Sequence, residues 1–288
     1  MKILTCPAQL QRLEGILRKS LPLALPVFGA VLNINRGNPG QYEVLVDKWP
    51  EFGAVLARPS GEVVPVNDGY WNTQAAFYRD LEAYRAIWQE GRVWSWTLSS
   101  TTPTGILTPA PCPSPGESPH PCPHMRTPLS PPLTPASPRP APGVRLGSLS
   151  PSHADLLNDT WPYGGNARSR RYLAELLERF PQVCLQDSSG QPVAWVLTDH
   201  FGTGTHSYTL PEHRRHGHMQ VALTVAAQRA HARGFPTFGH TALQNRPMQQ
   251  LQELLGHQRL PGVCSGWHRQ ALEGQTVTHS REWHRAEG

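Results

Sequence analysis

Apolar residues recur with a helical period in some parts of this chain and alternate or run together in others. From Pro7 to Ser20, Leu10, Leu13, Ile16 and Leu17 fall on one face at spacings of three and four, with Arg12, Arg18 and Lys19 around it, which predicts a first helix. A second helix is predicted over Thr73 to Glu90, where Phe77, Leu81, Tyr84 and Trp88 recur in the same way. Between them "VFGAVLNI" (27–34), "YEVLVD" (42–47) and "FGAVLARP" (52–59) are apolar runs bounded by turn formers and predict strands. The connection "NRGNPG" supplies Gly37, Pro39 and Gly40 for a turn. A small mixed sheet with flanking helices follows from this order.

The pattern resumes past residue 143. "VRLGSL" (144–149) predicts a strand, and "SHADLLNDTW" (152–161) and "ARSRRYLAELLERF" (167–180) predict helices. "VCLQD", "PVAWVLTD" and "THSYTL" predict short strands joined by turns at Gly190 and Gly202. A helix is expected from near His218 to about Arg233, with Met219, Leu223, Ala226 and Ala230 along one face and Gly234 as its stop. A strand "TFGHTAL", a helix "RPMQQLQELLG" and an extended run "VCSGWHRQ" close the series. The order predicts an α/β layer with a largely antiparallel start.

Composition changes the picture between these two parts. The chain has 288 residues, enough for two ordinary domains, and half of its 30 prolines lie between Pro103 and Pro142. Such a tract lacks amide donors and large apolar side chains, so it is expected to be an extended, disordered linker. The division expected is 1–98, 99–143 as linker, 144–270, and a tail from 271 to 288.

The net charge of +5 rests almost wholly on arginine, lysine standing only at Lys2, Lys19 and Lys48. The excess is dispersed, so no nucleic-acid surface is expected, whereas a small phosphorylated ligand suits arginine. No apolar run approaches the roughly 18 to 20 residues of a membrane span, and stable membrane insertion is not expected. The amino-terminal helix carries Glu14 and is expected to belong to the fold, with a mitochondrial address as the alternative. Five cysteines without a Cys-x-x-Cys pair suggest reduced thiols, in the cytosol or a mitochondrial matrix. Cys112, His120, Cys122 and His124 fit no standard zinc spacing, so no metal is expected there. Asn158 in its Asn-Asp-Thr sequon is expected to stay unmodified.

Candidate chemistry concentrates in "YTLPEHRRHGHM" (208–219), directly ahead of the predicted helix. A helix amino terminus presents unpaired N–H groups and partial positive charge, which suits phosphate. Gly217 allows a phosphate close to the backbone, and Arg214 and Arg215 add cationic forks. A solvated basic loop is the alternative on composition alone.

"RRHGHM" also fits the Arg/Gln-x-x-Gly-x-small loop of the GNAT acyltransferases, through Arg214 and Gly217, with Met219 where many members have Gly or Ala. "VFGAVLNINRGNPGQYEVLVDKWPEF" (27–52) closely resembles the amino-terminal domain of the glycine N-acyltransferase family, and "LLNDTWPYGGN", "PVAWVLTD" and "YTLPEHRR" resemble its catalytic domain. The resemblance covers roughly 1–98 and 144–270. It implies an α/β, GNAT-like acyl-CoA transferase fold in the second part. In the family the region of the proline tract belongs to the folded amino-terminal domain, so that related domain is expected to be incomplete here.

The activity implied is transfer of an acyl group from acyl-CoA to the amine of glycine or a related amino acid, giving an N-acyl amino acid and free coenzyme A. Acyl-CoA would be a co-substrate, with no permanently bound cofactor, and the chain would work as a monomer in mitochondria, the cytoplasm being the alternative. A catalytically silent acyl-CoA-binding protein and a protein-lysine acyltransferase are the other readings. The resemblance implies that Leu210, Arg214, Arg215, His216, Gly217, His218 and Met219 hold the diphosphate, with Asn245 either touching the cofactor or capping a helix. Related members carry a glutamate, proposed as base, where this chain has Thr203. His206, on the same strand, is the candidate base, acting directly or through water, and a structural role is its alternative. Glu212 is expected to pair with the arginines rather than act as a base. His240, Arg246 and Trp267 carry no assignment.

Overall fold

The computed structural model describes residues 1–61, 73–90, 97–99, 106–109, 139–241, 245–260 and 264–266. The fold is mixed α/β and contains two sheets of like construction. The first part runs β1 (Lys2–Leu4), α1 (Pro7–Arg18), α2 (Leu25–Asn35), β2 (Tyr42–Val46), β3 (Ala54–Pro59), β4 (Gln74–Tyr78), α3 (Leu81–Glu90), β5 (Thr97–Ser99) and β6 (Ile106–Pro109). The second runs β7 (Arg145–Gly147), α4 (Ala154–Thr160), α5 (Ala167–Arg179), β8 (Gln182–Gln186), β9 (Pro192–Thr198), β10 (Gly204–Thr209), α6 (His218–Ala232), β11 (Gly239–His240), α7 (Arg246–Leu254), β12 (His257–Leu260) and β13 (Cys264–Gly266).

The order β-α-α-β-β-β-α-β occurs twice, in β1 to β5 and in β7 to β11. In each sheet four antiparallel strands lead to a fifth that pairs in parallel with the fourth: β4 with β5, and β10 with β11. Beyond the fifth strand the two parts exchange segments. β6, from the first part, pairs with β11 and β12, and β13, from the second, pairs with β5. Each sheet is thus completed by the other part of the chain.

Two stretches differ from the expectation. "VFGAVLNI" lies in helix α2, not in a strand. Nine residues of that helix are buried, so its apolar pattern carries no amphipathic period, and a continuous apolar run reads alike for a buried helix and a buried strand. Thr73 to Glu90 is not one helix: Gln74–Tyr78 is a strand, and α3 starts only after Asp80, whose Oδ1 accepts from the N–H groups of Glu82 and Ala83 at 2.9 and 3.4 Å. In the proline tract, Ile106–Pro109 forms β6, and the remainder up to 138, with Cys112, His120, Cys122 and His124, lies outside the described residues. Trp267 and the tail lie outside them as well.

Helices α1 and α2 cover one face of the first sheet and α3 the other. In the second part α4 and α5 cover the face carrying Cys184, Trp195 and Leu197, while α6 covers the face carrying Val183, Val196 and Leu185. Phe201 and Phe235 of the second part enter the core of the first. A Cβ at Gly29 would collide there with the Phe201 carbonyl, and Asn33 Nδ2 donates to the His200 carbonyl at 2.8 Å. No helix among the described residues is long and apolar enough to cross a membrane.

Candidate active site

Strand β10 leaves regular geometry before it reaches the basic loop. Against β9 its register shifts between Thr205 and Tyr208, where three steps along β10 meet two along β9, and His206 sits at φ 44°. Two interactions hold this bulge. Trp195 Nε1 donates to His206 Nδ1 at 3.2 Å, and His206 Nε2 lies 2.8 Å from the Leu157 carbonyl, an arrangement that fits the Nε2–H tautomer. Trp161 stacks on the same ring at a centroid distance of 5.5 Å. Burial lowers the His206 pKa. With both ring nitrogens engaged, no lone pair of His206 is free for a substrate proton, so the geometry supports its structural role and not the base expected of it.

Thr203, where the resemblance places a glutamate, is buried, and its N–H donates to Asp199 Oδ1 at 2.9 Å. Phe201 N–H donates to the same oxygen at 2.9 Å, closing a turn around the carboxyl group. Burial pushes the Asp199 pKa up to about 6, against the opposing effect of those bonds.

Beyond Thr209 the chain makes a single 3-10 turn at Pro211–His213 and then enters α6 through two left-handed residues, Arg215 at φ 66° and Gly217 at φ 75°. The N–H groups of Arg215 to Gln220 find no acceptor among the described residues, the first bond of the helix being Val221 to Gly217 at 3.2 Å. Six donors therefore lie in succession at the positive end of a 15-residue helix. A Cβ at Gly217 would meet nothing within 4 Å, so the glycine is required by its φ, and the space beside it is open.

The side chains expected in this cradle divide. Arg215 and His216 are exposed beside it. Arg214 turns back onto the strand instead of pairing with Glu212: its Nε donates to the Thr209 carbonyl at 3.1 Å, its Nη2 to Tyr208 Oη at 3.3 Å, and it lies over the Tyr208 ring at 5.5 Å. His218 is buried, with Nδ1 unpartnered, and stacks on His216 at 5.7 Å. Burial first, then His216 and His213, lower its pKa. Met219 packs into the core under α6, which leaves only its N–H for a ligand. Leu210 faces the core, and its N–H already donates to Val193 at 3.0 Å, so its place in the cradle is that of a spacer. Asn245 Oδ1 accepts from Met248 N–H at 3.3 Å, which makes it the cap of α7.

The corresponding place in the first part has no such cradle. Only Arg79 and Asp80 join β4 to α3, and the Asp80 carboxylate occupies the helix amino terminus where an anion would bind. Among the described residues, such a run of unpaired N–H groups therefore belongs to the second part alone.

Comparison with known proteins places the chain in a family. The model of the aralkyl acyl-CoA:amino acid N-acyltransferase family matches residues 1–101 and 123–181, and that of its C-terminal region matches 183–271. The chain belongs to that family. Bovine glycine N-acyltransferase is 32% identical over 295 residues, covering 94% of this chain and 100% of its own length. Bovine glycine N-phenylacetyltransferase is 32% identical, with 92% and 98% covered, and human glycine N-acyltransferase 31%, with 90% and 95% covered. A solved structure of a Drosophila protein superposes with a TM-score of 0.62 over 90% of this chain and 95% of its own at 12% identity, a likeness of fold. The family match runs through the amino-terminal part on both sides of residues 102–122.

Proposed function

We propose that this protein transfers an acyl group from acyl-CoA to the amine of glycine or a related small amino acid, and that the β10–α6 segment is where it does so. The observation that carries the proposal is the run of six unpaired N–H groups at the start of α6, opened by Gly217 and flanked by Arg215. Such a cradle suits the diphosphate of coenzyme A, and family membership makes acyl-CoA the donor. From Thr209 back to Gly204 the strand covers about 17 Å at about 3.4 Å per residue, comparable to an extended pantetheine arm. The thioester then reaches the point where β10 and β11 part, since among the described residues these strands pair only at Gly204 and Gly239.

In the reaction the acceptor ammonium loses a proton, its nitrogen attacks the thioester carbon, and the C–S bond breaks as the C–N bond forms. The nitrogen's second proton leaves with the thiolate as coenzyme A thiol. Binding and orientation supply most of the acceleration, with strand N–H groups as donors to the developing oxyanion. We extend the proposal to a monomer in mitochondria, on family grounds. The test is release of free thiol by the purified full chain, given a panel of acyl-CoA donors with and without glycine or glutamine. Amino-acid-dependent release with an N-acyl amino acid as product is expected; thiol release indifferent to amino acid would overturn the reading.

A further inference from the structure

His206 cannot serve as proton acceptor without breaking one of its two bonds, and Thr203 has no basic group, so a base has to come from another side chain. Asp199 Oδ1 is committed to two backbone N–H groups, and His153 Nδ1 to the Ser150 cap. His200 is enclosed by Tyr42, Tyr172 and Phe180 and lies 3.9 Å from Glu175. His218 has a free nitrogen but belongs to the anion cradle at the far end of β10. His240 remains.

His240 follows Gly239, the residue that pairs with Gly204 where β10 and β11 separate. Gly204 also pairs with Thr198, which lines a cleft beside α6 together with Val196 and Ala226. Side chains alternate along strands, so His240 projects from the opposite face, the one carrying Trp195 and Leu197. Phe238, two residues earlier, lies on that face as well, its ring 6.5 Å from the imidazole. The residue as a whole is half-buried, yet its Nε2 is shut off from solvent and has no hydrogen-bond partner among the described residues. A polar atom left unpaired in such a place normally costs stability, and a ligand that satisfies it removes the cost.

The geometry points to His240 Nε2 as the group that takes the proton from the acceptor's ammonium, an assignment that rests on the acyl-transfer reading above. It lies at the parting of β10 and β11, to which the thioester extends, and on the sheet face away from α6. The ring is neutral at working pH, since burial lowers its pKa to about 4, and the Nδ1–H tautomer leaves the Nε2 lone pair free. One proton passes from the ammonium to Nε2 and on to water only when product release opens the site; the second leaves with the thiolate once the C–N bond has formed. So weak a base gives the proton up at that point, and the ring returns to its neutral form for the next turnover.

The experiment compares glycine with aminooxyacetate, an acceptor of similar size that keeps the carboxylate but whose amine is already unprotonated at neutral pH, for the full-length protein and for His240→Gln. With glycine the variant is expected to lose roughly a hundredfold or more in kcat while its affinity for coenzyme A is kept; with aminooxyacetate the loss should be at least tenfold smaller. That ratio of acceptors is measured within one preparation, so it does not depend on how much of the variant folds. Equal losses for the two acceptors, or unchanged turnover of glycine, would overturn the assignment of His240 alone. Failure of the unsubstituted protein to use either acceptor would instead overturn the acyl-transfer reading, and this assignment with it.

Discussion

Two buried groups at the site make opposite predictions at the scale of single residues. His206 holds the β10 bulge between Trp195 and Leu157, and a glutamine can offer an acceptor and a donor in the same places. His206→Gln is therefore expected to keep most of the turnover, while His206→Ala leaves an indole N–H and a carbonyl unpaired and costs about 2–4 kcal/mol in a denaturant titration. A hundredfold fall in kcat for His206→Gln, with coenzyme A binding intact, would return the base to His206. Asp199 has a folded pKa of about 6 against an ordinary 3.8, so ionisation favours the unfolded chain. Stability is expected to fall as pH rises through that interval, by up to roughly 3 kcal/mol, and Asp199→Asn should abolish the fall; melting temperatures of the two proteins across the same range check this. The turn at Gly217 was legible, because a lone glycine between a basic loop and an alanine-rich helix marks a left-handed entry into the helix. The commitments of Arg214 and His206 were not, since their partners Thr209, Tyr208, Trp195 and Leu157 come together only through the bulge and the packing of α4. His240 had one signal, a polar side chain inside the short strand "TFGHTAL".

Among the elements, the entry into α6 is the most exposed to test. Gly217 has φ 75°, where any Cβ costs about 1–2 kcal/mol, although nothing crowds the position. Gly217→Ala should lower the melting temperature accordingly and also weaken coenzyme A binding, because relief of the strain tilts the unpaired N–H groups. Binding unchanged in a variant that shows the stability loss would separate the turn from the ligand site. Helix α6 itself was readable from its period and from Gly234 as its stop. Helix α2 was not: it lies between α1 and the first sheet with almost every side chain covered, so the polar face that marks a surface helix is missing. The strand β4 was hidden for a different reason, because Phe77 continues the helical spacing of α3 backwards and only Asp80, as a cap, marks the break.

For the whole molecule, the two parts are bound together by more than a linker. Phe201 and Phe235 fill the first core, β6 and β13 cross between sheets, and Gly29 packs against the Phe201 backbone without room for a methyl group. Residues 144–270 expressed alone are therefore expected to lack cooperative unfolding, and Gly29→Ala in the full chain should be among the most destabilising of single substitutions; a fragment that melts like the full chain would contradict this seam. The repeated β-α-α-β-β-β-α-β order escaped the sequence because its two copies connect their fourth strand and third helix so differently, by Arg79 and Asp80 in one and by the whole Leu210 to Gly217 segment in the other. Among the described residues, that difference leaves one run of unpaired helix N–H groups rather than two, and one anion site is expected from it. The most direct test of this is calorimetric titration of coenzyme A into the full-length protein and into Arg214→Ala/Arg215→Ala. One site per chain is expected, weakened roughly ten- to hundredfold in the variant, since exposed arginines contribute less than buried ones. Two sites, or equal affinity in the two proteins, would contradict it.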